Sequence, residues 1–251
     1  MKHQAADDQY FFVHPADVAL PQTLTLRGEE AHHCVKVLRK TTGSRFYAVD
    51  GQGNEYLVEL THPHKDAVSC SIIESRIRPS ELPFKITLAQ ALIKKDHFDI
   101  AIEKCTELGV GAIIPMETSR SLVEPGKNKF ERWQKIILSA MKQSRRSVLP
   151  ELTGIFSFEE LFEKSNVYDL KILFHEKSEL PVFDFVKTIF RWPSEILILI
   201  GPEGGFTDSE VAMAADHGFT SLSLGRRRLR AETAAICGVS LFSNLHSPQN
   251  I

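Results

Sequence analysis

Five short strand-like runs, Ile86 to Leu92, Gly111 to Met116, Lys171 to Phe174, Ile196 to Ile200 and Thr220 to Leu224, alternate with helical stretches through the later part of the chain. That alternation is the signature of a parallel sheet flanked by helices, because each crossover between parallel strands has to run back along one face of the sheet. Between the first two runs, Phe98, Ile102, Cys105 and Leu108 recur on one face of a helix that Gly109 is suited to end. Phe130, Trp133, Ile136, Ile137, Ala140 and Met141 mark a second, longer amphipathic helix. Both stripes read as core packing, and no internal repeat or low-complexity tract is visible.

Upstream the period changes. Thr23 to Leu26, Arg45 to Val49, Glu55 to Leu60 and Val68 to Ile73 read as strands, with Asp50-Gly51 supplying hairpin chemistry and a short helix near Glu29 to Leu38. A small β-rich domain is expected over 1–77 and an α/β domain over 78–251, divided near Arg78-Pro79-Ser80. A net charge of −2 over 251 residues argues against a protein that coats nucleic acid indiscriminately, and leaves room for one local basic patch. Cys34, Cys70, Cys105 and Cys237 lie far apart with no C-x-x-C pair, so neither a zinc site nor a redox pair is indicated. Asp7 and Asp8 stand where a signal peptide needs an apolar core, and no apolar run reaches membrane-spanning length. A soluble, cytoplasmic protein with reduced thiols is the expectation.

Two stretches carry the chemistry. The apolar strand Ile196 to Ile200 runs into Gly201-Pro202-Glu203-Gly204-Gly205, and Thr207 and Glu210 then have capping-box spacing, so the loop opens into a helix. Such a turn brings bare backbone close to a ligand at the carboxyl end of a sheet; without a ligand the same residues make a tight turn. The chain lacks G-x-G-x-x-G, G-x-x-x-x-G-K-[ST] and G-x-S-x-G, and His175-Glu176-Lys177 is not H-E-x-x-H, which disfavours a Rossmann site, a P-loop, a serine hydrolase and a metalloprotease. In the second stretch a strand ends at Leu224-Gly225, an arginine-rich turn follows through Arg226, Arg227, Arg228 and Arg230, and a helix begins with Ala231 and Glu232. Clustered arginines neutralise phosphate or fork onto a carbonyl, or else form a solvated basic loop. Ala231, Ala234, Ala235 and Gly238 give that helix a surface another backbone can approach closely.

Together these stretches resemble the RsmE family of bacterial 16S ribosomal RNA uridine-N3 methyltransferases, with I-G-P-E-G-G as Ile200 to Gly205 and L-G-x-R-x-L-R-x-E-T-A as Leu224 to Ala234. Similarity extends to His32 with Val37-Leu38-Arg39, Gln90 with Lys94, Ile102 to Lys104, Thr106 to Val110, Pro115, Ser119 and Gln143-Ser144. The resemblance implies a SPOUT-type parallel sheet with a C-terminal trefoil knot, preceded by a small PUA-like β-barrel, in a homodimer. It implies S-adenosylmethionine held by Leu173, Ile200, Gly201, Pro202, Glu203, Gly204, Gly205, Leu224, Gly225, Leu229, Arg230, Thr233 and Ala234, with no metal. Arg230 is expected to support a developing uridinate, and Glu232 to accept its proton or to hold an arginine. His32, Arg39, Arg146 and Arg227 are the expected RNA contacts, on 16S ribosomal RNA within the small subunit. The chain departs from the family pattern at Gln9, Lys142, Arg145 and Arg226, where arginine, glutamate, glycine and proline are frequent. Two other readings compete: a SPOUT ribose 2′-O-methyltransferase, and a non-catalytic RNA-binding or assembly factor. The former usually carries an S-L-N-V-S-like segment where this chain has Ser223-Leu224-Gly225, and intact loops speak against the latter.

Overall fold

The change of period along the sequence is realised as two separate sheets. Residues 7–121 and 129–245 are described in this computed structural model, so the first six residues, part of the stretch read for a signal peptide, lie outside it. One compact unit comprises the described residues up to Glu81 together with Leu138–Leu149; the other comprises Leu82–Ile137 and the residues from Pro150 onward.

In the first unit, β1 (Tyr10–Phe12), β2 (Val18–Ala19), β3 (Thr23–Arg27), β4 (Arg45–Val49), β5 (Asn54–His62) and β6 (Ala67–Ile77) form a six-stranded sheet in the order β1-β4-β5-β6-β3-β2. All neighbours are antiparallel except β1 and β4. Leu24 and Leu26, Phe46 and Ala48, Val58 and Leu60, and Val68 and Cys70 point inward at two-residue spacing, as a half-buried sheet requires. The β4–β5 hairpin forms as expected. Its loop is held by Asp50, whose Oδ1 accepts from the amides of Gln52 and Asn54 at 2.9 and 3.1 Å. The short helix α1 (Gly28–His32) widens over His33–Val37, where the Leu38 amide donates to the His33 carbonyl at 2.9 Å.

Leu138–Leu149 was expected in the second domain and packs instead with the first unit. The Gly53 amide donates to the Ser147 carbonyl at 2.9 Å, and the Leu149 amide to the Gly51 carbonyl at 2.9 Å.

The second unit holds a seven-stranded parallel sheet of β7 (Lys85–Ala91), β8 (Ala112–Glu117), β9 (Glu151–Leu152), β10 (Phe156–Ser157), β11 (Leu170–Phe174), β12 (Glu195–Ile200) and β13 (Thr220–Leu222). The order is β10-β8-β7-β12-β11-β13, with β9 also paired to β8. The last strand stops at Leu222, two residues short of the expected Leu224, because Ser223 Oγ accepts from the Gly225 amide (3.2 Å) and turns the chain. The helices are α2 (Lys95–Glu107), α3 (Lys129–Gln143), whose residues from Leu138 on belong to the first unit, α4 (Phe158–Glu163), α5 (Val182–Val186), α6 (Asp208–Asp216) and α7 (Ala231–Leu245). The central strands are buried on both faces. Ile86, Leu88, Ile172, Phe174, Ile196, Ile198 and Ile200 pack with residues of α2 and α7, whereas Ala89, Ala91, Leu173, Leu197 and Leu199 pack with α4 and α6.

Register places Gln90, Ile200, Phe174 and Leu222 in one row across the carboxyl ends of β7, β12, β11 and β13. Burial pushes the Cys34 and Cys70 thiols up to about 11 and about 12, so both are uncharged packing groups at neutral pH. Among the described residues no helix is long and apolar enough to cross a membrane.

Candidate active site

A cavity of about 300 Å³ opens at the carboxyl ends of β11, β12 and β13. Its floor is Phe174 and Ile200, the row that register brings together. One wall is Gly201, Pro202, Glu203 and Gly205; the opposite wall is Leu224, Gly225, Arg227, Arg228, Leu229 and Arg230; and Ala231 and Ala234 of α7 close the back. The two glycine- and arginine-bearing stretches thus line one site. They also touch, since Arg228 Nη2 donates to the Glu203 carbonyl at 3.3 Å.

Local chemistry explains the loop shapes. The Gly205 amide donates to the Pro202 carbonyl at 2.8 Å, closing a tight turn, and Gly205 sits at φ +67, where a side chain would be strained. Thr207 then caps α6: its hydroxyl accepts from the Glu210 amide at 3.1 Å, and Glu210 Oε2 accepts from the Thr207 amide at 2.7 Å. Thr207→Ala removes half of this reciprocal cap and is expected to cost about 1 kcal/mol of stability. An unchanged denaturant midpoint would show that the cap contributes nothing.

On the other side, α7 lies close against the sheet. A Cβ on Gly238 would stand 2.7 Å from Phe174 Cε2, so glycine is required for this approach, as the small-residue surface of the helix suggested.

Ten of the expected cofactor residues line the cavity, namely Ile200, Gly201, Pro202, Glu203, Gly205, Leu224, Gly225, Leu229, Arg230 and Ala234. Leu173, Gly204 and Thr233 do not. Neighbouring strand residues face opposite sides, so the Leu173 side chain packs with Leu197 and Leu199 while Phe174 faces the cavity. Gly204 turns to Arg120, whose Nη1 donates to the Gly204 carbonyl at 2.6 Å. Thr233 falls off the α7 face that presents Ala231 and Ala234, which are one helical turn apart.

Sequence reasoning missed His175 and Glu176, which also line the site; their place directly after the carboxyl end of β11 was the available signal. Burial and then Lys177 hold the His175 imidazole below its usual value, so it is neutral near pH 7 and does not repel a cationic ligand. It also missed His97. Glu232, 8% exposed, bonds through Oε1 to His97 Nδ1 at 2.9 Å, so the expectation that it holds an arginine is corrected to a pairing with a histidine of α2.

Of the expected RNA contacts, Arg227 lines the cavity, and His32 and Arg39 are exposed in the first unit. Arg146 is a correction. Its side chain is 3% exposed and pairs with Glu81, also 3% exposed, at 2.8 Å, so it serves the interior of the first unit rather than its surface. Two of the departures also find partners. Lys142 bonds to Glu30, and Arg145 to Asp8 at 2.8 Å; Arg145 has φ +58, the conformation that favours the glycine frequent at that position.

An enclosure of this size, apolar at its floor and rimmed by loop backbone with both carboxylates and guanidiniums, suits a ligand with a planar ring, a cationic centre and a carboxylate. S-adenosylmethionine has these parts.

Comparison with known proteins agrees in both halves of the chain. Residues 80–243 match the RNA methyltransferase domain family, and residues 26–73 match the RNA methyltransferase PUA domain. The chain is 36% identical over 229 residues to ribosomal RNA small subunit methyltransferase E of Bacillus subtilis, covering 88% of this chain and 90% of that protein. It is 36% identical over 227 residues to the protein of that name from Synechocystis, covering 90% and 74%. Among solved structures, ribosomal RNA small subunit methyltransferase E of Neisseria gonorrhoeae bound to S-adenosyl methionine superposes with a TM-score of 0.85 at 29% identity, covering 94% of this chain and 97% of that one. A Legionella pneumophila methyltransferase with bound cofactor gives 0.82 at 32% identity, covering 93% and 96%. The chain belongs to the RNA methyltransferase family, among the small-subunit ribosomal RNA methyltransferases E.

Proposed function

We propose that this protein transfers a methyl group from S-adenosylmethionine to N3 of one uridine in 16S ribosomal RNA. Family membership makes it an S-adenosylmethionine-dependent methyltransferase of ribosomal RNA. The finer reading is carried by one observation: the two loops of the family pattern wall a single cavity that Arg230 enters.

When bound, S-adenosylmethionine supplies an electrophilic methyl group on its sulfonium. Loop backbone and the apolar floor orient it, with Ile200, Leu224 and Leu229 as packing surface. Uridine N3 carries a proton between two carbonyls and becomes nucleophilic only as that proton leaves. Arg230, which lines the cavity, donates to the ring oxygens on which negative charge then builds. Glu232, buried beside the cavity lining and held by His97, is the candidate acceptor of the proton.

The β-rich domain over 1–77, with His32 and Arg39, and the basic loop with Arg227 are the RNA-binding surfaces in this reading, on the assembled small subunit. The part from β12 through α7, within the second unit, is read as the trefoil knot on the family resemblance of its two loops. A homodimer belongs to the same reading.

The test is methyl transfer from labelled S-adenosylmethionine to small subunits that lack the modification, followed by nucleoside analysis. 3-Methyluridine is the expected product. A label on ribose moves the protein to the 2′-O class, and no heat on titration with millimolar S-adenosylmethionine makes it a non-catalytic RNA binder.

A further inference from the structure

The glycine loop is gripped from outside by a turn that follows β8. The Thr118 amide donates to Ser121 Oγ at 3.1 Å and the Ser121 amide to the Thr118 carbonyl at 3.0 Å, so the turn is closed by its own ends. Its two middle residues reach the loop. The Ser119 amide donates to Glu210 Oε1 at 2.8 Å, the oxygen left over when Oε2 serves the cap at Thr207. Arg120 Nη1 donates to the Gly204 carbonyl at 2.6 Å and reaches the Phe206 carbonyl at 3.4 Å. The Arg120 side chain also lies over Gly204, where an added Cβ would stand 3.2 Å from its Cδ.

These contacts settle one peptide group in particular. The Gly204–Gly205 peptide has its carbonyl held by Arg120 and its amide held by the Pro202 carbonyl at 2.8 Å. A peptide flanked by two glycines is the easiest kind to rotate, since neither side carries a Cβ to restrict it. Left with one tether, it would sample orientations that turn its dipole elsewhere, and the wall of the cavity at Gly205 would move with it.

We infer that Arg120 is a positioning residue that fixes the Gly204–Gly205 peptide and so preorganises the loop for S-adenosylmethionine. This rests on the reading of that loop as the cofactor wall. Arg120 does not line the cavity, so it acts through the loop. Ordering lost in the free protein must be recovered on binding, and that cost appears as weaker affinity.

Calorimetric titration of Arg120→Ala with S-adenosylmethionine should give a Kd roughly tenfold above wild type, because a charge-assisted hydrogen bond of ordinary strength corresponds to about that factor. Arg120→Lys should recover part of it. In steady state the KM for the cofactor rises while the KM for RNA stays, and the melting temperature of the cofactor-free protein barely moves because Arg120 is exposed. A second readout needs no cofactor: hydrogen exchange at the Gly205 amide should accelerate severalfold in Arg120→Ala. Wild-type affinity in the variant, or unchanged Gly205 exchange, overturns the inference. A wild-type protein that binds no cofactor overturns the loop's reading instead, while the exchange result still decides the role of Arg120.

Discussion

Arg230→Ala is expected to lower the rate of methyl transfer by about 10²- to 10³-fold, the usual loss when one donor aimed at developing charge is removed. The position favours a large catalytic effect with a small structural one. Arg230 is exposed at the rim of the cavity and its guanidinium forms no ion pair among the described residues, so its removal leaves no buried charge behind. Its backbone carbonyl accepts from the Ala234 amide at 2.8 Å, a bond that alanine keeps. The planar fork of arginine can donate twice to the ring oxygens flanking N3, and lysine cannot reproduce that geometry, so Arg230→Lys should recover only a fraction of the rate. Single-turnover transfer at saturating cofactor and RNA is the measurement, with cofactor Kd expected to stay within severalfold of wild type. An alanine variant that methylates at the wild-type rate would falsify the assignment. A variant that loses cofactor binding in the same proportion would make Arg230 a binding residue.

The parts of this molecule that were legible in the sequence are those decided by local pattern. Apolar spacing located β3 to β8, β11 to β13 and the two amphipathic helices, but not the two- and three-residue strands β1, β2, β9 and β10, and Thr207 with Glu210 announced the start of α6. The two loops were legible through their unusual composition, and ten of their residues meet at the cavity. What local pattern did not give was decided by distant contacts. Phe174 faces the cavity in place of Leu173 because the phase of β11 is set by its neighbours, β12 and β13. His97 reaches Glu232 across 135 positions of sequence, and Arg120 reaches Gly204 across 84. No spacing rule connects such pairs. Leu138–Gln143 completes the apolar stripe of α3, and the membership of Leu138–Leu149 in the first unit follows from contacts with distant residues, Gly51, Gly53, Glu81 and Glu30 among them.

The same principle governs Arg146, an arginine that composition alone assigns to a surface, and its partner offers the largest stability effect expected here. Glu81→Ala should destabilise the first unit by about 3–5 kcal/mol, the range for removing one member of a buried, hydrogen-bonded ion pair. Glu81 Oε2 accepts from Arg146 Nη2 and Nε at 2.8 and 3.2 Å, while Oε1 accepts from the amides of Ser147 and Val148 at 2.9 and 3.0 Å. One carboxylate therefore satisfies a guanidinium and two backbone donors, all within a segment that Gly53 and Gly51 fasten to the β4–β5 loop. Alanine removes the counter-charge of a guanidinium that stays 3% exposed, and it strips both amides of their acceptor at the same time. Glu81→Gln keeps an acceptor and the shape but not the charge, and should fall between wild type and alanine. Amide hydrogen exchange resolved by segment is the suitable readout, because unfolding of two units need not be a single transition. Protection over β4, β5 and Leu138–Leu149 should drop in Glu81→Ala while the parallel sheet keeps its own. Equal protection in the variant and the wild type would mean that water, or a rotated Arg146, replaces the carboxylate without cost, and the pair would then be a bystander of the fold.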